Sequence, residues 1–255
     1  MRVERRGEVA VWTLDRPRAK NALDAATFEE MARAVDAAAA DASLRALVLT
    51  ADGDTFAAGG DLRELRGAVT EADAARLLEA GRRVCDGLGA LPQPVVAALP
   101  GAAIGGGAEL AMACDLRVAA PGASVCFKHA QMGVTTAWGI LPRLVATVGP
   151  AAAARLLLTA RAVGADEALR LGLVDAVSGG EPGACVELAE AWARDVARGA
   201  PAAVAGLKAL LREATCDEAL LACERARFVA TWTSADHAEA VDAFFERRAP
   251  VWRGA

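Results

Sequence analysis

Between Val9 and Leu14 the chain alternates Val9, Val11 and Thr13 with Ala10, Trp12 and Leu14, a period-two pattern that predicts a β-strand stopping before Pro17. From Asp24 to Ala40 the period changes. Phe28, Met31 and Val35 recur at spacings of three and four, which predicts a helix with Asp24 as its N-cap. Ala46 to Leu49 and Val95 to Leu99 are short, wholly apolar runs of the kind found in strands buried on both faces. The amphipathic stretch from Thr70 to Leu88 predicts a second helix, and Pro92 and Pro94 close its exit. Three glycines, Gly105 to Gly107, then lead into the helix-like AELAMA and the strand LRVAA. Strand, glycine turn and helix therefore follow one another twice, which predicts successive turns of one spiral.

Beyond Pro201 the strand signals vanish and three helical segments follow: AAVAGLKALLREA, CDEALLACERARFVATW and SADHAEAVDAFFERR. The pattern predicts an α/β core over residues 1–200 and a helical C-terminal region over residues 201–255. Alanine fits either face of a helix, and its abundance leaves the helix boundaries soft. With 255 residues, 55% of them hydrophobic, the chain is long enough to bury one large core. Six cysteines without a C-x-x-C pair point to a reduced, cytoplasmic chain. The opening MRVERRGEVAVW has no apolar stretch of signal-peptide length, and Pro, Gly or a charge interrupts each longer apolar run, so no membrane insertion is expected. A net charge of -5 argues against a broad nucleic-acid surface, and an anionic ligand would have to be met by local basic groups.

The candidate chemistry lies in two glycine-rich turns. The first runs Thr55-Phe56-Ala57-Ala58-Gly59-Gly60-Asp61-Leu62, the second from Gly101 through Gly105-Gly106-Gly107 to Glu109 and Leu110. Such turns expose backbone N–H groups, and a helix that starts on one favours negative charge at its first turn. Tight packing alone also accounts for either run taken singly. Neither matches the dinucleotide pattern G-x-G-x-x-G with its acidic ribose partner, and neither has the Lys-Ser/Thr of a P-loop.

Together the two turns resemble the enoyl-CoA hydratase/isomerase (crotonase) superfamily, whose members carry a phenylalanine-alanine-glycine-x-aspartate turn and, further on, a G-G-G-x-E helix start. The resemblance extends over nearly the whole chain, through LDRPRAKNAL (Leu14 to Leu23), ELAMACDLRVA (Glu109 to Ala119), LTARAVGADEALRLGLVDAV (Leu158 to Val177) and AFFERRAPVW (Ala243 to Trp252). It implies a crotonase-like spiral of β-β-α turns and an acyl-CoA thioester substrate. Coenzyme A enters only as part of that substrate, and no metal is needed. Self-association as a homotrimer or hexamer through the C-terminal helices is implied as well. The N–H groups of Ala58 and Gly106 would form an oxyanion hole for the thioester oxygen.

By the same resemblance Glu109 is the candidate acid/base, one of the two glutamates of typical hydratases; complementing the helix N-terminus is its alternative role. The second glutamate belongs in Phe127 to Gly133, which contains no acid. The segment is shorter than usual, and the position of the gap decides whether Gln131 or His129 takes that place. The motif F-x-H-x-x-M-G, followed by Trp138-Gly139, is similar to the ethylmalonyl-CoA decarboxylase branch. A malonyl-type decarboxylase therefore stands beside hydratase/isomerase as an alternative, and a non-catalytic oligomeric scaffold as a third reading. Leu62, Thr136 and Trp138 are candidates for the acyl pocket. CoA contacts are expected from Arg18, Ala19 and Lys20 in the basic loop, from Ala57 and Asp61, and from Phe244 and Arg247. His237 reads as a surface helix residue.

Overall fold

The computed structural model describes residues 1–68, 70–181 and 183–252. One sheet contains β1 (Arg2–Arg6), β2 (Val9–Leu14), β3 (Ala46–Ala51), β5 (Val95–Leu99), β7 (Leu116–Ala119) and β10 (Ala176–Val177), in that spatial order. A smaller sheet contains β4 (Thr55–Ala57), β6 (Ala102–Ile104), β8 (Ser124–Cys126) and β9 (Val163–Gly164). Pairing is antiparallel for β1 with β2 and β8 with β9, and parallel elsewhere.

Between β3 and β5 the chain passes through β4, α2 (Leu62–Leu65) and α3 (Glu71–Ala90); between β5 and β7 it passes through β6 and α4 (Gly106–Ala113). Each pass gives one strand to each sheet and then a helix, which is the crotonase-like spiral of β-β-α turns. α1 (Ala25–Ala40) starts where Asp24 accepts from the Thr27 N–H at 2.8 Å. α3 starts on a capping box in which Thr70 and Asp73 hold each other's backbone N–H.

The alternation in β2 does not separate core from solvent, since all six residues are buried. Val9 and Val11 join Val48, Val96 and Val118 against Cys185, Ala189 and Ala193 of α7 (Ala184–Ala197). Trp12 and Leu14 join Leu47, Leu49 and Leu99 in the larger core, where Phe28 and Met31 of α1 meet Val84 and Leu88 of α3. Helices on both faces of a parallel sheet require this double burial. β1 lies outside the sequence pattern because all five of its residues, RVERR, are exposed; its charges guard the sheet edge.

α5 (Leu141–Thr159) is long and apolar enough, by length and composition alone, to cross a membrane. It is bent at Gly149 (φ 77°), ahead of Pro150, and interrupted by Arg143 and Arg155. Through α6 (Ala165–Leu171) the chain reaches β10 and then α7. The C-terminal helices are α8 (Pro201–Glu213), α9 (Glu218–Trp232) and α10 (Ala235–Glu246). α9 packs on α3 and α5, and α10 packs on the 3-10 turn Lys128–Met132.

Candidate active site

Strand β4 and the start of α4 bring the two glycine turns into contact. A Cβ on Gly107 would stand 2.0 Å from the Ala57 carbonyl oxygen, and one on Gly106 would stand 2.2 Å from the Trp138 ring, so only glycine allows both approaches. The Gly105 carbonyl accepts from Ala108 N–H (2.9 Å) and Glu109 N–H (3.1 Å), which leaves the N–H groups of Gly106 and Gly107 as helix-start donors outside the ladder. The Ala58 N–H, on the facing turn, donates to the Lys20 carbonyl at 3.1 Å.

Lys20 and Asn21 both have left-handed backbones (φ 52° and 51°). The buried Asn21 side chain holds that loop by donating to the carbonyls of Asp52 (2.8 Å) and Thr55 (2.7 Å) and accepting from Arg16 N–H (2.8 Å). Asparagine tolerates this conformation, and its two-ended amide joins the basic loop to β4.

One turn of α4 beyond Gly105, Glu109 is buried. Its carboxylate accepts from Trp138 N–H (2.9 Å) and from Ala137 N–H (3.3 and 3.4 Å), and lies 2.8 Å from His129 Nε2. With backbone N–H groups already donating to it, the carboxylate acts as an acceptor, so we assign the proton to His129 Nε2. His129 Nδ1 is buried without a hydrogen-bond partner among the described residues. Trp138 completes this wall by meeting the Phe28 ring edge-on, at 5.3 Å between centroids.

Behind the same loop lies a second carboxylate that sequence reasoning missed. The buried Glu224 of α9 accepts from the Thr136 hydroxyl (2.5 Å) and from Gly139 N–H (3.0 Å). Burial first, and then the charge of Glu109, push its carboxyl up to about 7. A signal for it exists in the sequence: Glu224 precedes the buried Phe228 and Trp232 by four and eight residues, so the helical period places it on the buried stripe of α9.

A cavity of about 820 Å³ opens over these groups. Of the residues expected from sequence, Ala58, Gly106, Glu109, His129, Leu62 and Trp138 line it, as do Arg18, Ala19, Lys20, Asp61, Phe244 and Arg247. The other three, Gln131, Thr136 and Ala57, are not among its lining residues. Gln131 is exposed, because the 3-10 turn Lys128–Met132 carries His129 to Glu109 and leaves Gln131 outside. Thr136 is buried behind the wall with its hydroxyl on Glu224. Ala57 lies inside β4 under Gly107.

His237 corrects the sequence reading: it is buried and lines the cavity, not the outer surface. Its Nδ1 lies 2.7 Å from the Met132 carbonyl and its ring 4.5 Å from that of Trp232. Burial lowers its pKa, which favours the neutral ring. Arg16, Arg18, Lys20, Arg63, Lys128 and Arg247 also line the cavity and bring positive charge to it. Asp61 is held there by Arg16 (3.0 Å) and caps α2.

The family model described as enoyl-CoA hydratase/isomerase matches residues 4–255. The short-chain-enoyl-CoA hydratase of Clostridium acetobutylicum is 36% identical over 96% of this chain and 94% of its own length. The 2,3-dehydroadipyl-CoA hydratase of Escherichia coli is 33% identical over 99% of this chain and 98% of its own. Among solved structures, an enoyl-CoA hydratase from Mycobacterium avium subsp. paratuberculosis superposes with a TM-score of 0.88 at 27% identity, covering 99% of this chain and 98% of that one.

Proposed function

We propose, given that the chain belongs to the enoyl-CoA hydratase/isomerase family, that it acts on enoyl-CoA thioesters with Glu109 as its single proton-transfer carboxylate. The observation that carries this reading is the place of Glu109: a buried carboxylate on the cavity wall, three residues beyond Gly106, held by two backbone N–H groups and His129. The thioester oxygen is received by the N–H groups of Gly106 and Ala58; the Ala58 N–H donates to the Lys20 carbonyl in this structure and must share or give up that bond to receive it. As the α-carbon gains carbanion character this oxygen gains charge, and each donor lowers the barrier by about 3 kcal/mol.

One carboxylate is enough for both family reactions. In hydration Glu109 takes a proton from water as the oxygen adds to the β-carbon, and returns it to the α-carbon. In isomerisation it takes a proton from the α-carbon and returns it at the γ-carbon.

A malonyl-type decarboxylase is the second reading. It is favoured by one feature: Glu109 and the ion-paired Asp61 are the only carboxylates lining the cavity among the described residues. Loss of carbon dioxide leaves an enolate directly and needs no second base.

CoA is bound with its phosphates toward Arg18, Lys20 and Arg247, and the chain assembles as a trimer or hexamer. Exposed leucines on α8 support the assembly. A reducing cytoplasm fits the six free thiols.

The test is incubation with crotonyl-CoA and, separately, methylmalonyl- and ethylmalonyl-CoA, following products by mass. The expected product is crotonyl-CoA plus one water, and Glu109→Gln should reduce its formation by about 10²–10⁴-fold with CoA binding kept. Carbon dioxide loss from a malonyl thioester would transfer the assignment to the decarboxylase, and inertness toward all three would favour a scaffold.

A further inference from the structure

The loop Thr136–Gly139 is held from both sides by carboxylates. Its inner N–H groups, Ala137 and Trp138, point to Glu109, while the Thr136 hydroxyl and the Gly139 N–H point to Glu224. Glu224 does not line the cavity, so it has no contact with substrate there. Nothing in the proposed chemistry uses it, yet a buried carboxylate with a like charge nearby is an expensive way to fasten a loop. Its two oxygens receive the two outer donors of a turn whose inner donors orient the acid/base, and no neutral aliphatic residue could do this.

We propose that Glu224 is a positioning residue for Glu109: by gripping Thr136 and Gly139 it fixes the angle at which Ala137 and Trp138 present their N–H groups to the Glu109 carboxylate. The grip comes from α9, which also brings Phe228 and Trp232 to the cavity. Helix α9 thereby connects the packing of the C-terminal region to the aim of the acid/base. Burial, and then the charge of Glu109, raise the Glu224 pKa to about 7, so its grip on the loop is made by a carboxyl in a site that disfavours its charge. The kinetic consequence rests on the function proposed above; the geometric one does not.

The test uses Glu224→Ala and Glu224→Gln in the full chain, with crystal structures and kinetics of each. In Glu224→Ala the bond from Trp138 N–H to Glu109, 2.9 Å in the wild type, should be lost. Turnover should fall by about 10²-fold with KM changed less than about threefold, the result of misplacing a catalytic group without removing it. Gln keeps an oxygen for Gly139 N–H and an amide for Thr136, so Glu224→Gln should recover most of the rate. An unchanged Trp138–Glu109 bond in the Ala variant overturns the proposal. So does a KM that rises in proportion to the fall in kcat, or a Gln variant as slow as the Ala one. Should the Ala variant fail to fold, Thr136→Val removes one of the two outer donors, and its structure must show the loop displaced. If the wild type consumes no thioester, the function fails and the crystallographic result still decides the positioning role.

Discussion

Above neutral pH the Glu224 carboxyl is ionised in a place that disfavours its charge, since its folded-state pKa of about 7 lies above the ordinary glutamate value of 4.5. The folded chain therefore binds more protons than the unfolded chain between those values. Its contribution to stability is fully present below pH 4.5 and is lost as pH rises through 7. Glu109 and Arg82 are the charged groups facing it; the first adds to the upward shift and the second opposes it. The difference is on the order of 3 kcal/mol, with burial as its first cause. Glu224→Gln should therefore flatten the pH dependence of the urea midpoint between pH 5 and 8, and should be at least as stable as the wild type at pH 8. A midpoint that falls between pH 5 and 8 as steeply in the variant as in the wild type would assign the slope to other groups. His237 acts with the opposite sign: its pKa is depressed, so the stability it contributes is lost as pH falls below 6.5. At this scale Glu109 was legible because its motif fixes it beside a glycine turn. Glu224 was missed, because a carboxylate among alanines, arginines and leucines on a C-terminal helix reads as solvated surface unless its spacing of four and eight to Phe228 and Trp232 is followed. The choice between His129 and Gln131 stayed open in the sequence because the tightness of a 3-10 turn, which decides whether residue 129 or 131 points inward, leaves no mark in the apolar pattern.

Among the elements, α8 inverts the usual rule for an amphipathic helix. Its apolar residues Leu207, Leu210 and Leu211 are 62%, 68% and 71% exposed, while Lys208 is 6% exposed. The Lys208 ammonium enters the body of the fold, donating to the carbonyls of Leu88 (2.8 Å) and Gln93 (3.0 Å) and pairing with Asp115 (2.7 Å). Asp115 in turn accepts from Val95 N–H at 2.8 Å, so one lysine fastens α8 to the end of α3 and to the entry of β5. Removing it leaves Asp115 short of a partner and two carbonyls unsatisfied, which costs about 3–5 kcal/mol for a buried pair broken on one side. Lys208→Ala should lower the denaturation midpoint accordingly. Lys208→Arg should recover little of it, because a planar guanidinium does not fit three acceptors arranged around a compact ammonium. A loss under about 1 kcal/mol in the Ala variant would make this a surface-type ion pair. The helix itself was legible from the spacing in AAVAGLKALLREA, but its facing was not, since periodicity identifies an apolar stripe without saying what that stripe will meet.

For the whole molecule, the spiral was legible because each turn repeats the same local order of strand, glycine turn and helix. The two-sided burial of the main sheet was less so, since β2 alternates among apolar residues that enter two cores. The same geometry leaves a surface that asks for a partner. Leu207, Leu210 and Leu211 form an i, i+3, i+4 row on α8, and Leu158 of α5 is 78% exposed. Three adjacent leucines bared on one helix are costly in water, at about 1.5–3 kcal/mol for each side chain that burial would cover. A second copy of this chain is the partner we expect, as proposed above, because covering a repeated apolar row by rotation lets every subunit bury the same face. The wild type should therefore elute as a trimer or hexamer by multi-angle light scattering at micromolar concentration. Leu207→Glu combined with Leu211→Glu should shift it to smaller species while circular dichroism retains the helical content, since neither side chain is in the monomer core. If the wild type is monomeric, the α8 leucines meet something other than a copy of the chain. If the double variant remains fully assembled, the contact lies elsewhere, with the exposed Leu158 on α5 the next face to change.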